Sequence, residues 1–292
     1  MSQTGLEHPK LERQPMEPRA LKSIILSGIT IVCAITACIP LFSVLIMLFY
    51  RGGKRLTFQL FYTLPPGAFD SAGVGGFGNA ILGTAFMVGI AGLISVPFGI
   101  LAAIYLAELD PYSKISEIAR FCAKTMTGLP SIIAGVFAYA IVVLVMGHYS
   151  AWAGGIALSL LMIPTVMLTA EEAIKMVPNP MREAAYGMGC TPAQSLIKVI
   201  LPVAMPGIIT GVVLAVARAA GETAPLLFTA LFSESWLSPN DPTASLAVLI
   251  YNWSSSPYEN LIELAWAASL ILVVLVFILN ILSRTIGGKI KR

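Results

Sequence analysis

Two charged residues interrupt an apolar segment in the second half of the chain. Arg218 and Glu222 lie within residues 217–225, in a stretch that the surrounding sequence predicts to be a membrane-spanning helix. A charge inside a bilayer is costly, so both side chains should face a protein interior or an aqueous cavity. Their spacing of four residues places them on one face of a helix. The pattern indicates a charged gate or an anion-contacting site on a path through the membrane, and a structural ion pair between helices is the alternative.

The backbone around these charges carries signals of its own. Gly221 permits close approach of another element, and Pro225 cannot donate a hydrogen bond to the carbonyl of Gly221. We therefore expect a helix kink at Pro225. Counted from Met205 at about 1.5 Å per residue, Arg218 lies about 20 Å and Glu222 about 26 Å into the predicted span.

Residues 171–204 form a long polar interruption of this apolar half. Asn179 can cap a short helix whose first position is Pro180, where the missing N–H costs nothing. Gly187 and Gly189 can end that helix. Small and flexible side chains would give it an apolar face suited to a groove in another protein. These side chains are Met181, Ala184, Ala185 and Met188.

A second short helix is predicted directly after the glycine turn. Thr191 and Gln194 match a capping box, and Pro192 occupies the first helical position. Pro202 should end this helix, because proline cannot continue the hydrogen-bond ladder. The sequence thus predicts a short helix, a glycine turn and a second short helix between two membrane spans.

The composition is typical of an integral membrane protein. Of 292 residues, 57% are hydrophobic and 11% are charged, whereas soluble domains carry about 25% charged residues. Apolar runs of about 20 residues each cross a bilayer as helices. We expect an all-α polytopic membrane protein, with a disordered cytoplasmic tail over residues 1–20 and a single transmembrane domain over residues 21–292. The six predicted spans cover residues 21–50, 79–107, 125–146, 153–170, 205–232 and 261–282.

Basic residues set the expected orientation, because short loops rich in lysine and arginine stay in the cytoplasm. With six spans, both termini, the loop after the second span and residues 171–204 share one side. That side holds Lys10, Arg13, Arg19, Lys22, Lys114, Arg120, Lys124, Lys175, Arg182, Lys198, Arg284, Lys289, Lys291 and Arg292. The other side holds Arg51, Lys54 and Arg55, for which snorkelling at the interface is the available explanation. We expect a multi-pass protein of the inner or plasma membrane with both termini in the cytoplasm.

The motif Glu183-Ala184-Ala185, followed by Gly189 and by Val199-x-Leu201-Pro202, resembles the EAA loop of ABC importer permeases. Valine at position 199, where that family has isoleucine, keeps the shape and the apolar character. The resemblance implies that this loop seats on a cytoplasmic ATP-binding subunit. An ordinary amphipathic hairpin at the membrane surface is the alternative. The implied ATPase-coupling residues are Met181, Arg182, Glu183, Ala184, Ala185 and Gly189.

The stretch Arg218-Ala219-x-Gly221-Glu222-Thr223-Ala224-Pro225 resembles a signature of phosphate-specific importer permeases, and the short N-terminal region resembles their PstA type more than their PstC type. The resemblance implies a type I ABC importer permease with the MetI-like fold and six transmembrane helices. It also implies that Arg218, Glu222 and Thr223 line the translocation path. Arg218 would bind phosphate through its planar fork, Thr223 would add a hydroxyl donor, and Glu222 would hold the arginine when no anion is present.

The same resemblance implies the partners. A PstC-like second permease would complete the channel, a PstB-like ATPase dimer would sit at the cytoplasmic face, and a PstS-like phosphate-binding protein would dock outside. We expect no cofactor, metal or catalytic residue in this chain, because the sequence has no nucleotide-binding Gly-x-x-x-x-Gly-Lys-Ser/Thr loop and no metal-ligand spacing. ATP and Mg would be bound by the partner ATPase. The alternatives are a permease for another oxyanion, such as sulfate or molybdate, and a non-transporting membrane scaffold that binds an ATPase.

Overall fold

The computed structural model describes residues 18–67 and 75–289, and this part of the chain consists of helices and connecting segments without a strand. The α-helices are α1 (Pro18–Lys54), α2 (Gly78–Ile104), α3 (Lys114–Gly128), α4 (Ser131–Ala138), α5 (Leu144–Met146), α6 (Ala151–Lys175), α7 (Asn179–Gly187), α8 (Pro192–Ser195), α9 (Leu201–Ala220), α10 (Ala224–Thr229), α11 (Leu246–Ser254) and α12 (Glu259–Lys289). Three π-helical turns extend or join them: Tyr105–Leu109 after α2, Tyr139–Val143 between α4 and α5, and Leu196–Ile200 between α8 and α9. The all-α prediction is confirmed.

Of the described residues, those up to Tyr50 form one compact unit and those from Arg51 onward form another. Helix α1, most of which lies in the first unit, contains a candidate membrane span over Leu21–Lys54, which confirms the first predicted span. The hydroxyl of Thr30 donates to the carbonyl of Leu26 at 2.8 Å, as polar groups in lipid need an internal partner. Of the predicted tail over residues 1–20, residues 1–17 lie outside the described part of the chain, and the single domain over residues 21–292 stays a prediction.

Five helices of the described chain are long and apolar enough to cross a membrane, and a bent helix pair makes the sixth span when it is counted as one. In this pair α3 meets the helix that begins at Ser131 at an angle of 106°. Leu129 is extended there (φ −75°, ψ 144°), because the residue before a proline avoids the helical conformation. One continuous helix over the predicted span 125–146 is therefore wrong, since Pro130 separates two helices.

Helix α6 lies between α2 and α9 in the second unit. Small residues bring these helices together. A Cβ added to Gly99 in α2 would lie 2.7 Å from Cγ1 of Val166, and one added to Gly211 in α9 would lie 2.3 Å from Oγ1 of Thr169. Close contact of this kind is how membrane helices associate, since lipid provides no hydrophobic driving force between them.

The segment from Pro192 to Ala220 is one long candidate span, although it contains Pro202. The prediction that Pro202 ends a short helix is therefore wrong. The π-helical turn Leu196–Ile200 directly precedes this proline, and local π-helical adjustments are how membrane helices accommodate prolines. The predicted span 205–232 is also wrong at its far end, because α9 stops at Ala220 and α10 starts at Ala224.

The connection between the last two predicted spans contains a helix, α11, with buried residues. Its first residue, Leu246, is fully buried, and the Leu246 N–H donates to Oγ1 of Thr84, in the second turn of α2, at 2.9 Å. Beyond the other end of α2, Glu108 pairs with Arg182 of α7. Helices α7 and α11 thus mark opposite ends of the bundle, which we call the α7 end and the α11 end.

Candidate functional site

Arg218 and Glu222 lie where the chain breaks between α9 and α10. Arg218 belongs to the last turn of α9, whereas Glu222 follows the end of the helix, and its N–H donates to the Ala219 carbonyl at 3.2 Å. The two side chains approach to 3.6 Å between Nε and Oε1. The expected ion pair is therefore present, but its members do not share a continuous helix.

The break has a local cause. Pro225 lies in the first turn of α10, where its missing N–H is harmless, so the chain restarts a helix at this point instead of bending one. The expected kink at Pro225 is thus a complete interruption over residues 221–223. Pro225 is buried, and its Cα would lie 2.7 Å from a Cβ added to Gly135 in α4.

The depth of the pair follows from the packing of α9 on α6. A Cβ added to Gly207 would lie 2.8 Å from Cβ of Ala173, and Gly211 lies against Thr169 in the same way. The two helices are therefore antiparallel, and this register places Arg218 level with Met162, close to the midpoint of α6. At about 1.5 Å per residue, each end of α6 is about 18 Å away.

A groove opens between the break and α12. Its volume is about 940 Å³, and apolar side chains of α12 form most of the opposite wall: Leu272, Val273, Val276, Phe277 and Ile281. The Arg218 side chain is 56% exposed here, whereas the Glu222 side chain is 15% exposed. The arginine therefore presents hydrogen-bond donors to a space with apolar walls, where it can form charge-assisted bonds to an anion.

Asn280 is the polar side chain that α12 contributes to the groove, and the sequence analysis missed it. Its Nδ2 donates to the carbonyl of Val276 at 2.9 Å. An asparagine inside an apolar span indicates a functional site, by the same reasoning that drew attention to Arg218. Thr223, by contrast, is half-buried at the start of α10 and is not among the residues that line the groove.

The predicted helix–turn–helix is present at the α7 end. Helix α7 begins one residue earlier than expected, with Pro178 as its cap and no side-chain hydrogen bond from Asn179. Gly189 adopts a left-handed conformation (φ +84°), which favours glycine. The capping box is confirmed, because the Thr191 N–H donates to Oε1 of Gln194 at 3.1 Å and the Gln194 N–H donates to Oγ1 of Thr191 at 3.3 Å.

The candidate coupling residues divide between two faces of α7. Met181, Glu183 and Ala184 are exposed, as is Gly189 in the turn. Arg182 and Ala185 point into the bundle, where Ala185 is 1% exposed. The four residues expected to form one apolar face therefore cannot all contact a partner, because Ala185 is buried.

Arg182 binds three groups of the bundle. It forms an ion pair with Glu108, Nη2 donates to the carbonyl of Ile174 at 2.9 Å, and Nε donates to the carbonyl of Val177 at 3.4 Å. The Ile174 carbonyl lies in the last turn of α6 and the Val177 carbonyl two residues beyond its end, where a positive charge is favourable. Arg182 thus fastens α7 to α6 and to the turn that follows α2.

A second arginine binds the same turn from α3. Arg120 donates from Nε to Oε1 of Glu171 at 2.6 Å, from Nη2 to the carbonyl of Leu106 at 2.6 Å, and from Nη1 to the carbonyl of Pro111 at 2.8 Å. Glu171 is buried in α6 and also pairs with Lys175 at 2.5 Å. The sequence offered no local signal for this network, because its partners come from separate segments.

Arg51 and Arg55, two of the basic residues on the side predicted to be non-cytoplasmic, have partners at the α11 end. Arg55 pairs with Glu263 of α12 at 2.6 Å, and the guanidinium carbon of Arg51 lies 5.6 Å from the ring centre of Trp266. An ion pair and a cation–π contact offset part of the cost of placing these charges at a membrane interface.

Comparisons with known proteins match the chain over most of its length. A family model described as "Binding-protein-dependent transport system inner membrane component" matches residues 95–292. The phosphate transport system permease protein PstA of Haemophilus influenzae is 40% identical over 262 residues, which cover 89% of this chain and 92% of that protein. The chain belongs to the PstA branch of this family. The PstA protein of Yersinia pestis is 42% identical to this permease over 242 residues, covering 82% of this chain and 81% of that one.

Solved structures show the same fold. A chain of the MetNI methionine ABC transporter, in an inward-facing conformation, aligns with a TM-score of 0.61 over 73% of this permease and 95% of its own length, at 20% identity. The predicted MetI-like fold of an ABC importer permease is confirmed. The relatives are transport permeases, which agrees with a non-enzymatic role.

Proposed function

We propose that this chain is one half of the membrane channel of an ATP-driven phosphate importer. Its relatives over about nine-tenths of its length are phosphate transport system permeases, which supports phosphate as the substrate. A PstC-like permease completes the channel, a PstB-like ATPase dimer binds at the α7 end, and a PstS-like binding protein delivers phosphate at the α11 end. In this orientation the α7 end and both termini lie in the cytoplasm.

The observation that carries the proposal is the exposed guanidinium of Arg218 beside the groove, level with the middle of α6. Without an anion, Glu222 compensates the charge at 3.6 Å, a separation too long for a strong hydrogen bond. A phosphate that enters the groove replaces the carboxylate as the partner of Arg218, because the guanidinium binds two phosphate oxygens at once. The displaced carboxylate then repels the anion, which favours its onward movement.

Coupling to ATP hydrolysis is assigned to the exposed side of α7. Met181, Glu183 and Ala184 form a small surface of flexible, acidic and small side chains that fits a groove in another protein. The left-handed turn at Gly189 returns the chain from this surface to α8 and α9. ATP and Mg are bound by the ATPase partner, so this chain itself needs no cofactor for its role.

The test replaces Arg218 in the complete importer and measures uptake of radiolabelled phosphate by proteoliposomes. Arg218→Gln should abolish uptake while the complex still assembles, since it removes both the charge and the planar fork. Arg218→Lys should restore little if two oxygens must be bound together. Arg55→Gln is the matched control, because it removes an arginine of a similar ion pair outside the groove. Normal uptake by the double variant Arg218→Gln/Glu222→Gln would show that the pair is only structural.

Substrate class is tested on the same complex with labelled sulfate and molybdate. Uptake of phosphate alone supports the proposal. Uptake of either other oxyanion at a comparable rate would favour a permease for that anion, and ATPase binding without transport of any of the three would favour a scaffold.

A further inference from the structure

The two arginines at the α7 end bind the same short segment, the π-helical turn Tyr105–Leu109 that follows α2. Arg182 reaches it through the Glu108 carboxylate, and Arg120 reaches it through the Leu106 carbonyl. Each arginine also binds α6, through the Ile174 carbonyl and the Glu171 carboxylate respectively. We call these two arginines with Glu108 and Glu171 the arginine clasp.

The clasp is shielded from solvent. The side chains of Arg182 and Glu108 are 19% and 14% exposed, and that of Glu171 is 4% exposed. Ion pairs in such surroundings hold their geometry much more firmly than exposed pairs, and the removal of one partner leaves an uncompensated charge. The clasp therefore makes α7, the end of α6 and the end of α2 a connected group.

By contrast, the direct route along the chain from α7 to Arg218 passes through Gly189. This glycine is exposed, adopts φ +84°, and would meet no neighbouring atom within 4 Å if it carried a Cβ. The turn is closed by backbone hydrogen bonds from the Gly189 N–H to the Tyr186 carbonyl at 2.9 Å and from the Cys190 N–H to the Ala185 carbonyl at 3.1 Å. Arg182 adds a second route for a force on α7, sideways through Glu108 into the turn after α2 and through the Ile174 carbonyl into α6.

We propose that Arg182 does not contact the ATPase but is the positioning residue that transmits movement of α7 to the membrane helices through Glu108 and the end of α6. This inference rests on the proposed function, in which the exposed face of α7 seats on the ATPase. From α6 the movement reaches α9 at the close contacts of Gly207 and Gly211, and so reaches Arg218.

The test measures ATP hydrolysis and phosphate uptake together in the complete importer. Arg182→Gln and Glu108→Gln should each leave the ATPase bound at its normal stoichiometry and still hydrolysing ATP. Phosphate uptake per ATP should fall about tenfold, within the range that substitutions in coupling networks produce. Arg182→Lys should restore part of the coupling, because it keeps the charge opposite Glu108 but not the forked contacts to two carbonyls. Glu117→Gln, an exposed carboxylate on α3, is the matched control and should couple normally.

The double variant Arg182→Gln/Glu108→Gln separates transmission from simple stability. It leaves no uncompensated charge, so it should be at least as stable as either single variant. A transmission role predicts that its coupling remains lost, with no further loss beyond the single variants. Recovery of normal coupling in the double variant would overturn the proposal and reduce the pair to a structural one.

Failure of this inference can be told apart from failure of the proposed function. The variant Met181→Cys, on the exposed face of α7, should cross-link to the ATPase. Absence of that cross-link would refute the seating of α7 itself. Cross-linking together with normal coupling in Arg182→Gln would refute only the role of Arg182. Loss of the ATPase from the Arg182→Gln complex would make Arg182 a docking residue and would also overturn the inference.

Discussion

The contact between α6 and α9 predicts a sharp response to the smallest substitution of Gly211. A Cβ at this position would lie 2.3 Å from Oγ1 and 2.7 Å from Cβ of Thr169, about 1 Å closer than ordinary contact distances. Overpacking of this kind costs about 1–3 kcal/mol, and the intrinsic gain of alanine over glycine in a helix returns about 0.5–1 kcal/mol. Gly211→Ala should therefore destabilise the permease by about 0–2.5 kcal/mol, and the midpoint of about 1 kcal/mol lowers its melting temperature by about 2–4 °C.

The functional consequence is larger than the loss of stability. To relieve the contact, α9 must move away from α6 by about 1 Å, and Arg218, two turns further along the same helix, moves with it. We expect phosphate uptake to fall while the complex still assembles. Unfolding is followed by differential scanning fluorimetry of the purified complex, and uptake is followed in proteoliposomes.

A control variant and a rescue variant test whether the loss of stability comes from the contact between Gly211 and Thr169. Gly92→Ala in α2 places a Cβ where no atom lies within 4 Å, so it should leave the melting temperature unchanged or raise it slightly. Gly211→Ala combined with Thr169→Gly removes the side-chain atoms that the new Cβ would meet and should recover part of the stability. An unchanged melting temperature and normal uptake for Gly211→Ala would refute the close packing on which the depth of Arg218 was based.

Three further predictions concern the two ends of the bundle. Gly189→Val should cost about 1–2 kcal/mol, because a β-branched residue is strained at φ +84°, whereas Gly189→Asn should be tolerated, as thermal unfolding of the two variants will show. Glu171→Gln should cost about 1–3 kcal/mol, since it removes the carboxylate that Arg120 and Lys175 share while Arg120 keeps its two carbonyl acceptors. Arg55→Gln at its exposed pair should cost about 1 kcal/mol or less in the same assay. In a background without other cysteines, Cys190 should resist a membrane-impermeant maleimide in intact cells. A cysteine introduced by Ser255→Cys should react with the same reagent. Labelling of Cys190 from outside would reverse the proposed orientation.

The features predicted correctly from the sequence are those that local chemistry determines. The Thr191–Gln194 capping box and the glycine turn at Gly189 involve neighbours within four residues, so their residue types suffice. The same holds for most of the apolar spans, whose length and composition require helices.

Prolines show where local reasoning ends. Pro202 was expected to stop a helix and lies inside one, whereas Pro225 was expected to bend a helix and begins a new one. Pro202 follows a π-helical turn, and Pro225 follows Gly221. Each outcome depends on whether neighbouring helices satisfy the backbone groups that the proline leaves without a hydrogen bond. One sequence without its tertiary contacts does not contain that information.

The coupling motif shows a second limit, which concerns the directions in which side chains point around a helix. Adjacent residues on a helix point about 100° apart, so Arg182 faces the bundle while Glu183 faces outward, although both belong to one motif. The partner of Arg182 is 74 residues away, and the partner of Arg55 is 208 residues away. Spacing indicated which segment is important, but the direction of each side chain came from packing.

The break between α9 and α10 has a consequence for hydration. A helix that stops level with the middle of its neighbour leaves carbonyl groups that its own hydrogen-bond ladder cannot satisfy. Non-helical backbone at that depth is tolerated only where protein covers it or water reaches it, and the groove beside Arg218 is open. We therefore expect a pool of water at this break, level with the middle of α6, in the assembled importer. A channel built in this way must keep a continuous seal on one side of that pool at every stage, because otherwise protons and small ions would leak through with the anion.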